Sequence, residues 1–259
     1  LSAKILTLDI ETAPIVAYVW GTFDQNIGLD MIKEDWSILS FSAKWLNSDT
    51  VIFRHTGGRG INKVRDDKAL LKELWKLLDE ADIVVTQNGK KFDIKKINSR
   101  LYCHGFEPYS DIQIIDTLLI ARGKFGFTSN KLAFLSKQRG DIHKSEHKSF
   151  PGFDLWRECL ADNPKAWKEM QSYNSIDVLA TEALYLEFRS WMPSHPNMAL
   201  YIDSDAPKCT KCGSAHLTKD GVRFTSAGKF QRYQCQSCGS KSRSNVNLLS
   251  KAARKSLLR

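Results

Sequence analysis

Apolar and polar positions alternate in register along the first part of the chain, and the alternation then changes period. Residues Lys4 to Ile10 (KILTLDI) form a β-rich run, and Ile38 to Leu46 and Val51 to His55 form two more, with the turn text Asn47-Ser48-Asp49 between them. From Asp66 to Glu80 the period becomes helical. Leu70, Leu71, Leu74, Leu77 and Leu78 recur at spacings of three and four, with Asp66 and Asp67 placed to cap the helix. Ile83 to Thr86 reads as a short buried strand, Asp93 to Tyr102 as a helix ending before Gly105, and Ile112 to Ile115 as a short strand. Asn130 to Gln138 reads as a short helix. Asn163, with Pro164 at the first helical position, opens a long helix running to about Trp191. Three strands followed by alternating helix and strand predict an α/β domain, a mixed sheet flanked by helices, over residues 1–205. Pro193, Pro196 and Pro207 mark a linker to a smaller segment, residues 206–259.

Charge sharpens this division. The 259 residues carry a net charge of +9. Residues 207–259 hold twelve of the 38 Lys and Arg and one acid, Asp220, so the positive excess lies in the tail and the rest is close to balance. A short segment of that charge is a footprint for a polyanion, and nucleic acid is the expected partner. An apolar content of 42% is that of an ordinary globular chain, and no run approaches the roughly 18–20 apolar residues of a membrane span. The N-terminal run lacks the order of a signal peptide, so a cytoplasmic protein without membrane association is expected.

Three short motifs carry chemistry. Asp9 and Glu11 stand two apart in the first strand, so both side chains leave the same face. Two adjacent carboxylates repel each other unless a cation sits between them. Asp93 follows the strand 83–86 in the run Asn88-Gly-Lys-Lys-Phe92-Asp93, where it could serve a metal or cap the helix. Tyr173 and Asp177 share one face of the long helix, about 6 Å apart along its axis. Asp177 sits among Ile176, Val178, Leu179 and Ala180, and a buried mid-helix Asp needs a cation or a basic partner. Lys90 and Lys91 could meet phosphate or simply face solvent.

In that order and spacing the motifs Asp9-x-Glu11, Asn88-x3-Phe92-Asp93 and Tyr173-x3-Asp177 resemble the DEDD exonuclease superfamily of the RNase H-like (DnaQ-like) fold. The tyrosine resembles the DEDDy branch, which includes polymerase proofreading domains and ribonuclease D. The words LDIET and FDIKKI are most similar to the family-B proofreading type. Asp116-Thr117-Leu118 and Lys131 to Leu135 resemble its intermediate segment, and Ser172 stands where the DEDDh branch would have histidine. The resemblance implies that Asp9, Glu11, Asp93 and Asp177 hold two divalent cations, Mg²⁺ or Mn²⁺, and that Tyr173 positions the attacking water. It further implies 3′–5′ hydrolysis of phosphodiester bonds. Single-stranded DNA is the favoured substrate and RNA a possible one, and replication or repair proteins could act in trans. An inactive nucleic-acid-binding scaffold and a structure-specific endonuclease are the alternatives. Asn88 and Phe92 are candidate substrate contacts.

The tail holds Cys209-x-x-Cys212 and Cys235-x-x-Cys238, each pair followed by glycine, with 22 residues between the pairs. Four thiolates at this spacing can surround one structural Zn²⁺, whereas two disulfides are disfavoured in a reducing compartment. The pattern resembles the zinc ribbons of transposase-associated and transcription proteins, with a hairpin about residues 226–229. Phe224, Phe230 and Tyr233 interleave with Lys229, Arg232, Lys241 and Arg243, a composition suited to nucleic acid, although some of the aromatics would be needed for the ribbon's small core. Cys103 and Cys159 read as buried thiols. His143 and His147, four apart in polar text, read as a solvated loop.

Overall fold

The structure, a computed structural model, describes residues 3–139 and 149–257. His143 and His147 lie outside the described residues. The chain divides into two compact units, residues 4–185 and residues 186–259 together with the first three. Among the described residues no helix is long and apolar enough to cross a membrane.

In chain order the first unit contains β1 (Ile5–Thr12), β2 (Val16–Ala17), β3 (Ile32–Glu34), β4 (Ile38–Trp45), β5 (Ile52–His55), α1 (Lys68–Glu80), β6 (Ile83–Thr86), α2 (Asp93–Cys103), β7 (Gln113–Asp116), α3 (Thr117–Lys124), α4 (Leu132–Arg139) and α5 (Asp154–Leu160). The long helix α6 (Pro164–Phe188) begins here. Five strands form one mixed sheet in the order β5-β4-β1-β6-β7. β4 runs antiparallel to β1 and β5, while β1, β6 and β7 are parallel. The expected sheet flanked by helices is therefore present. Four elements go beyond those expected: β2 and β3, strands of two and three residues too short to display a period, and the helices α3 and α5.

Strand alternation sorts the side chains of β1 onto two faces. Leu6, Leu8 and Ile10 join Phe41 and Ala43 of β4 in a core shared with Leu70, Leu71, Leu74 and Leu78 of α1 and Ile94, Ile97 and Leu101 of α2. Each fully buried leucine contributes about 1.5–3 kcal/mol. The opposite face of β4 is polar yet buried, formed by Ser40, Ser42 and Lys44. Helix α6 covers it. Ser40 Oγ donates to Asn174 Oδ1 at 3.4 Å, the Ser42 and Ser175 hydroxyls meet at 3.4 Å, and Lys44 Nζ donates to both oxygens of Glu182 at 2.6 and 2.9 Å.

The caps of α1 and α6 differ. Asn163 Oδ1 accepts from Lys165 N at 3.0 Å, as its position before Pro164 predicts. For α1, Asp66 accepts from Lys68 N at 3.3 Å, but Asp67 makes no side-chain cap. Asp67 instead receives two bonds from Arg100 and one from Ile38 N, and it meets His104 at 2.8 Å. These contacts, the hydrogen bonds from Arg100 and then from Ile38 N foremost, outweigh its burial and hold the Asp67 carboxyl below its usual range. Cys103 is exposed rather than buried, because it lies off the stripe of Asp93, Ile94, Ile97 and Leu101 that α2 buries. Cys159 is buried as expected, and burial, reinforced by the nearby Glu11 charge, raises its thiol to about 12.

The second unit carries β8 (Leu217–Thr225), β9 (Gly228–Cys235), β10 (Lys241–Asn247) and α7 (Lys251–Lys255). The three strands form an antiparallel sheet in the order β10-β9-β8, with the expected hairpin between β8 and β9.

Candidate active site

The register of β1 against β4 places Asp9 opposite Ser42 and Glu11 opposite Ser40, so both carboxylates point at the face that α6 covers. One oxygen each from Asp9, Glu11 and Asp177 lie within 4.8 Å of one another. Asp177 is 5% exposed, while Asp9 and Glu11 are half-buried. Three acids this close repel each other strongly in a partly dry setting, and all three offer the hard oxygen ligands that Mg²⁺ and Mn²⁺ take. The donor set therefore fits a divalent cation.

Asp93 is the first residue of α2, and Phe92 occupies the cap position, so Asp93 does not cap the helix. Its Oδ1 accepts from Ile10 N at 3.1 Å, the backbone link between Asp9 and Glu11. Asp93 is thus tethered beside the other three acids without being in their group of mutually close oxygens. Burial raises its carboxyl to about 7; the Ile10 N–H opposes the rise, and the charge of Asp116 adds to it.

The loop that delivers Asp93 is organised by Asp116, a residue the sequence marked only as part of a motif. Asp116 is 3% exposed and caps α3 through Leu118 N and Leu119 N. The same carboxylate accepts from Asn88 N at 3.0 Å and Lys90 N at 3.1 Å, across the parallel pair β6–β7. Asn88 has φ 71°, a left-handed conformation that asparagine tolerates better than most residues. Gly89 is required by close approach, since a Cβ there would lie 2.3 Å from Thr86 Oγ1 and 2.4 Å from its Cβ. Gly89→Ala should destabilise this unit by about 1–3 kcal/mol, because the β-branched Thr86 is held in a strand and cannot yield. Urea unfolding checks this, and an unchanged midpoint would show that the loop gives way freely.

Tyr173 lies one turn before Asp177, half-buried, with its ring edge-on to Trp156 at 5.9 Å. Phe92 is 38% exposed beside Asp93, and Lys90 and Lys91 are exposed on the same loop. Phe125 and Phe127 stack on one another at 5.0 Å. The residue that sequence reasoning missed outright is Asn174, fully buried, whose Nδ2 donates to Asp9 Oδ2 at 2.6 Å.

In the second unit Cys209, Cys212, Cys235 and Cys238 converge, with their sulfurs within 4.8 Å of one another. Two pairs, Cys209–Cys238 and Cys212–Cys235, stand 3.6 Å apart. That is far beyond a disulfide and close to the edge of about 3.8 Å that a tetrahedron with 2.3 Å Zn–S bonds requires. The four-cysteine cluster is thus compatible with a zinc ribbon. Burial raises the Cys212 thiol, whereas for Cys209 the Ser240 hydroxyl and backbone N–H groups overcome burial and bring the thiol down to about 7.

The basic candidates of the ribbon fall on two faces of its sheet. Arg232 pairs in register with Arg243, and Lys241 with Gln234, on the face of Phe230. Lys229 and Tyr233 project from the other, where Phe224 is 70% exposed. Arg232 and Lys241 share Asp220 at 3.0 and 2.9 Å, and Arg243 lies over the buried Phe230 ring at 4.3 Å. Phe230 therefore serves the core, as one or two of the aromatics were expected to.

Over 145 residues the chain is 37% identical to the DNA polymerase III PolC-type of Ureaplasma parvum serovar 3; the match takes in 53% of this chain and 10% of that protein. The fold is similar to that of the family B DNA polymerase from the hyperthermophilic archaeon Pyrobaculum calidifontis, with a TM-score of 0.53 and 15% identity, over 73% of this chain and 25% of the other. The chain thus spans a tenth of the first relative and a quarter of the second. Residues 35–188, more than half of the chain, match the family RNase_H_2, and the protein belongs to the RNase_H superfamily.

Proposed function

We propose that the protein is a metal-dependent 3′–5′ exonuclease that hydrolyses phosphodiester bonds, with single-stranded DNA the favoured substrate. The observation that carries this reading is the convergence of Asp9, Glu11 and Asp177 from β1 and α6 beside the tethered Asp93. Four acids suit two divalent cations, which when bound would activate water and stabilise the departing 3′-oxygen. The chain's own residues do the rest. Asp9, Glu11, Asp93 and Asp177 hold the cations. Tyr173 orients the attacking water through its hydroxyl, with its ring fixed against Trp156. Phe92 offers a partly exposed ring to a terminal base, next to Asn88. The similarity to two DNA polymerases supports DNA over RNA.

The same reading gives residues 1–205 the catalysis and residues 206–259 a Zn²⁺-held ribbon that grips the nucleic-acid backbone. Lys229, Arg232, Tyr233, Lys241 and Arg243 supply its contacts. Of these, Lys229 is the cation not held by Asp220 or stacked on Phe230, and it lies 5.7 Å from the exposed Phe224 ring.

A gel time course on 5′-labelled single-stranded DNA, duplex DNA and the matching RNAs, with Mg²⁺ or Mn²⁺, tests the proposal. A metal-dependent ladder shortening from the 3′ end is expected, fastest on single-stranded DNA. Binding with no cleavage of any of these substrates would point to a scaffold. In the same assay Tyr173→Phe should slow turnover on the order of 10²-fold, the usual contribution of a group that handles a reacting proton. An unchanged rate would remove Tyr173 from the mechanism.

A further inference from the structure

We propose that Asn174 is a positioning residue that fixes the Asp9 carboxylate for cation binding and locks α6 in register with β1. This rests on the reading of the carboxylate cluster as a divalent-cation site. Asparagine is a poor mid-helix residue, and burying its amide is costly unless both ends are bonded. Asn174 is nonetheless completely buried, and both ends are used. Its Nδ2 reaches Asp9 Oδ2 at 2.6 Å and the Asp9 carbonyl at 3.4 Å, while its Oδ1 accepts from Ser40 Oγ at 3.4 Å. Chemistry fixes this orientation of the amide. A carboxylate can only accept, so the NH₂ must face Asp9, and the hydroxyl of Ser40 can donate to the oxygen.

The bond to Asp9 is short and charge-assisted, the strong class of hydrogen bond. It fixes one oxygen of the Asp9 carboxylate and so restrains the rotation of that group beside Glu11 and Asp177. It also spreads some of the negative charge of three crowded acids onto an amide donor. Because Asn174 lies between Tyr173 and Asp177 on α6, the contact that orients Asp9 also fixes where those two side chains stand relative to β1. Ligand-orienting residues of this kind are worth about 10–100-fold in metal affinity.

The test is Mn²⁺ binding to the zinc-saturated chain of residues 1–259 by titration calorimetry, with no substrate present. Asn174→Leu keeps the branched shape of the side chain and removes the donor, and it should weaken Mn²⁺ binding about 10–100-fold. Ser40→Ala, which removes the other partner of Asn174 and leaves the bond to Asp9, should change it by less than about threefold. Activity should follow, with more Mn²⁺ needed for half-maximal rate. Asn174→Leu protein that binds Mn²⁺ as wild type does would overturn the proposal. Wild type that binds no Mn²⁺ in the carboxylate cluster would overturn the site itself. Should Asn174→Leu lose its circular dichroism signal, the wild type decides. Its Asn174 side-chain amide resonances should shift on adding Mg²⁺ and stay put in Asp9→Ala, and resonances that Mg²⁺ leaves unmoved would refute the role.

Discussion

Asp177→Asn should lower nucleolytic turnover on the order of 10⁴-fold or more, the scale seen when one member of a catalytic unit is removed. The fold should survive. Asp177 is 5% exposed and its oxygen lies within 4.8 Å of those of Asp9 and Glu11, so like charges repel one another at this range. Replacing one by a neutral isostere relieves that repulsion. The melting temperature without metal should hold or rise, as is common when a strained functional site is neutralised. Mg²⁺ should raise the melting temperature of wild type by mass action and leave that of Asp177→Asn nearly unchanged. Wild-type turnover in the variant would exclude the cluster as the seat of catalysis.

Cys235→Ser should have the second largest effect and act on the other unit alone. The buried residues of the ribbon include Cys209, Phe230, Cys235 and Ser240, too few to hold three strands without a metal or a disulfide. Structural zinc supplies an apparent binding free energy of about 10–16 kcal/mol to such sites. Elemental analysis should find one zinc per wild-type chain and none in Cys235→Ser. The dispersed resonances of residues 217–247 should collapse, and affinity for single-stranded DNA should fall. Hydrolysis by residues 4–185 should persist at high substrate concentration. Full zinc content in the variant would contradict the four-thiolate assignment.

The site acids were legible because their signals are local. Asp9 and Glu11 share a face by strand period, Tyr173 and Asp177 by helix period, and the cysteine knuckles by spacing. What could not be read depends on register between distant segments. Ser40, Ser42 and Lys44 look like unremarkable polar residues in a strand until α6 is laid over them, and Asn174 carries no charge to betray it. Asp67 has the position of a cap because it stands before a helix, yet Arg100, 33 residues away, claims both its oxygens. Asp116 likewise ties the loop before α2 to the start of α3 through backbone N–H groups, which leave no trace in residue type. In the ribbon, the basic residues formed one group in the sequence and two in the structure, because strand pairing separates Lys229 and Tyr233 from Arg232, Lys241 and Arg243.

In the proposed function, divalent cations are held by acids drawn from β1, α2 and α6. Diffraction from crystals grown with Mn²⁺, collected at a wavelength where manganese scatters anomalously, tests that directly. Two anomalous peaks are expected among Asp9, Glu11, Asp93 and Asp177, with the Asp93 carboxylate brought into contact with one of them. Crystals that bind Mn²⁺ elsewhere and show none in this cluster would contradict the account.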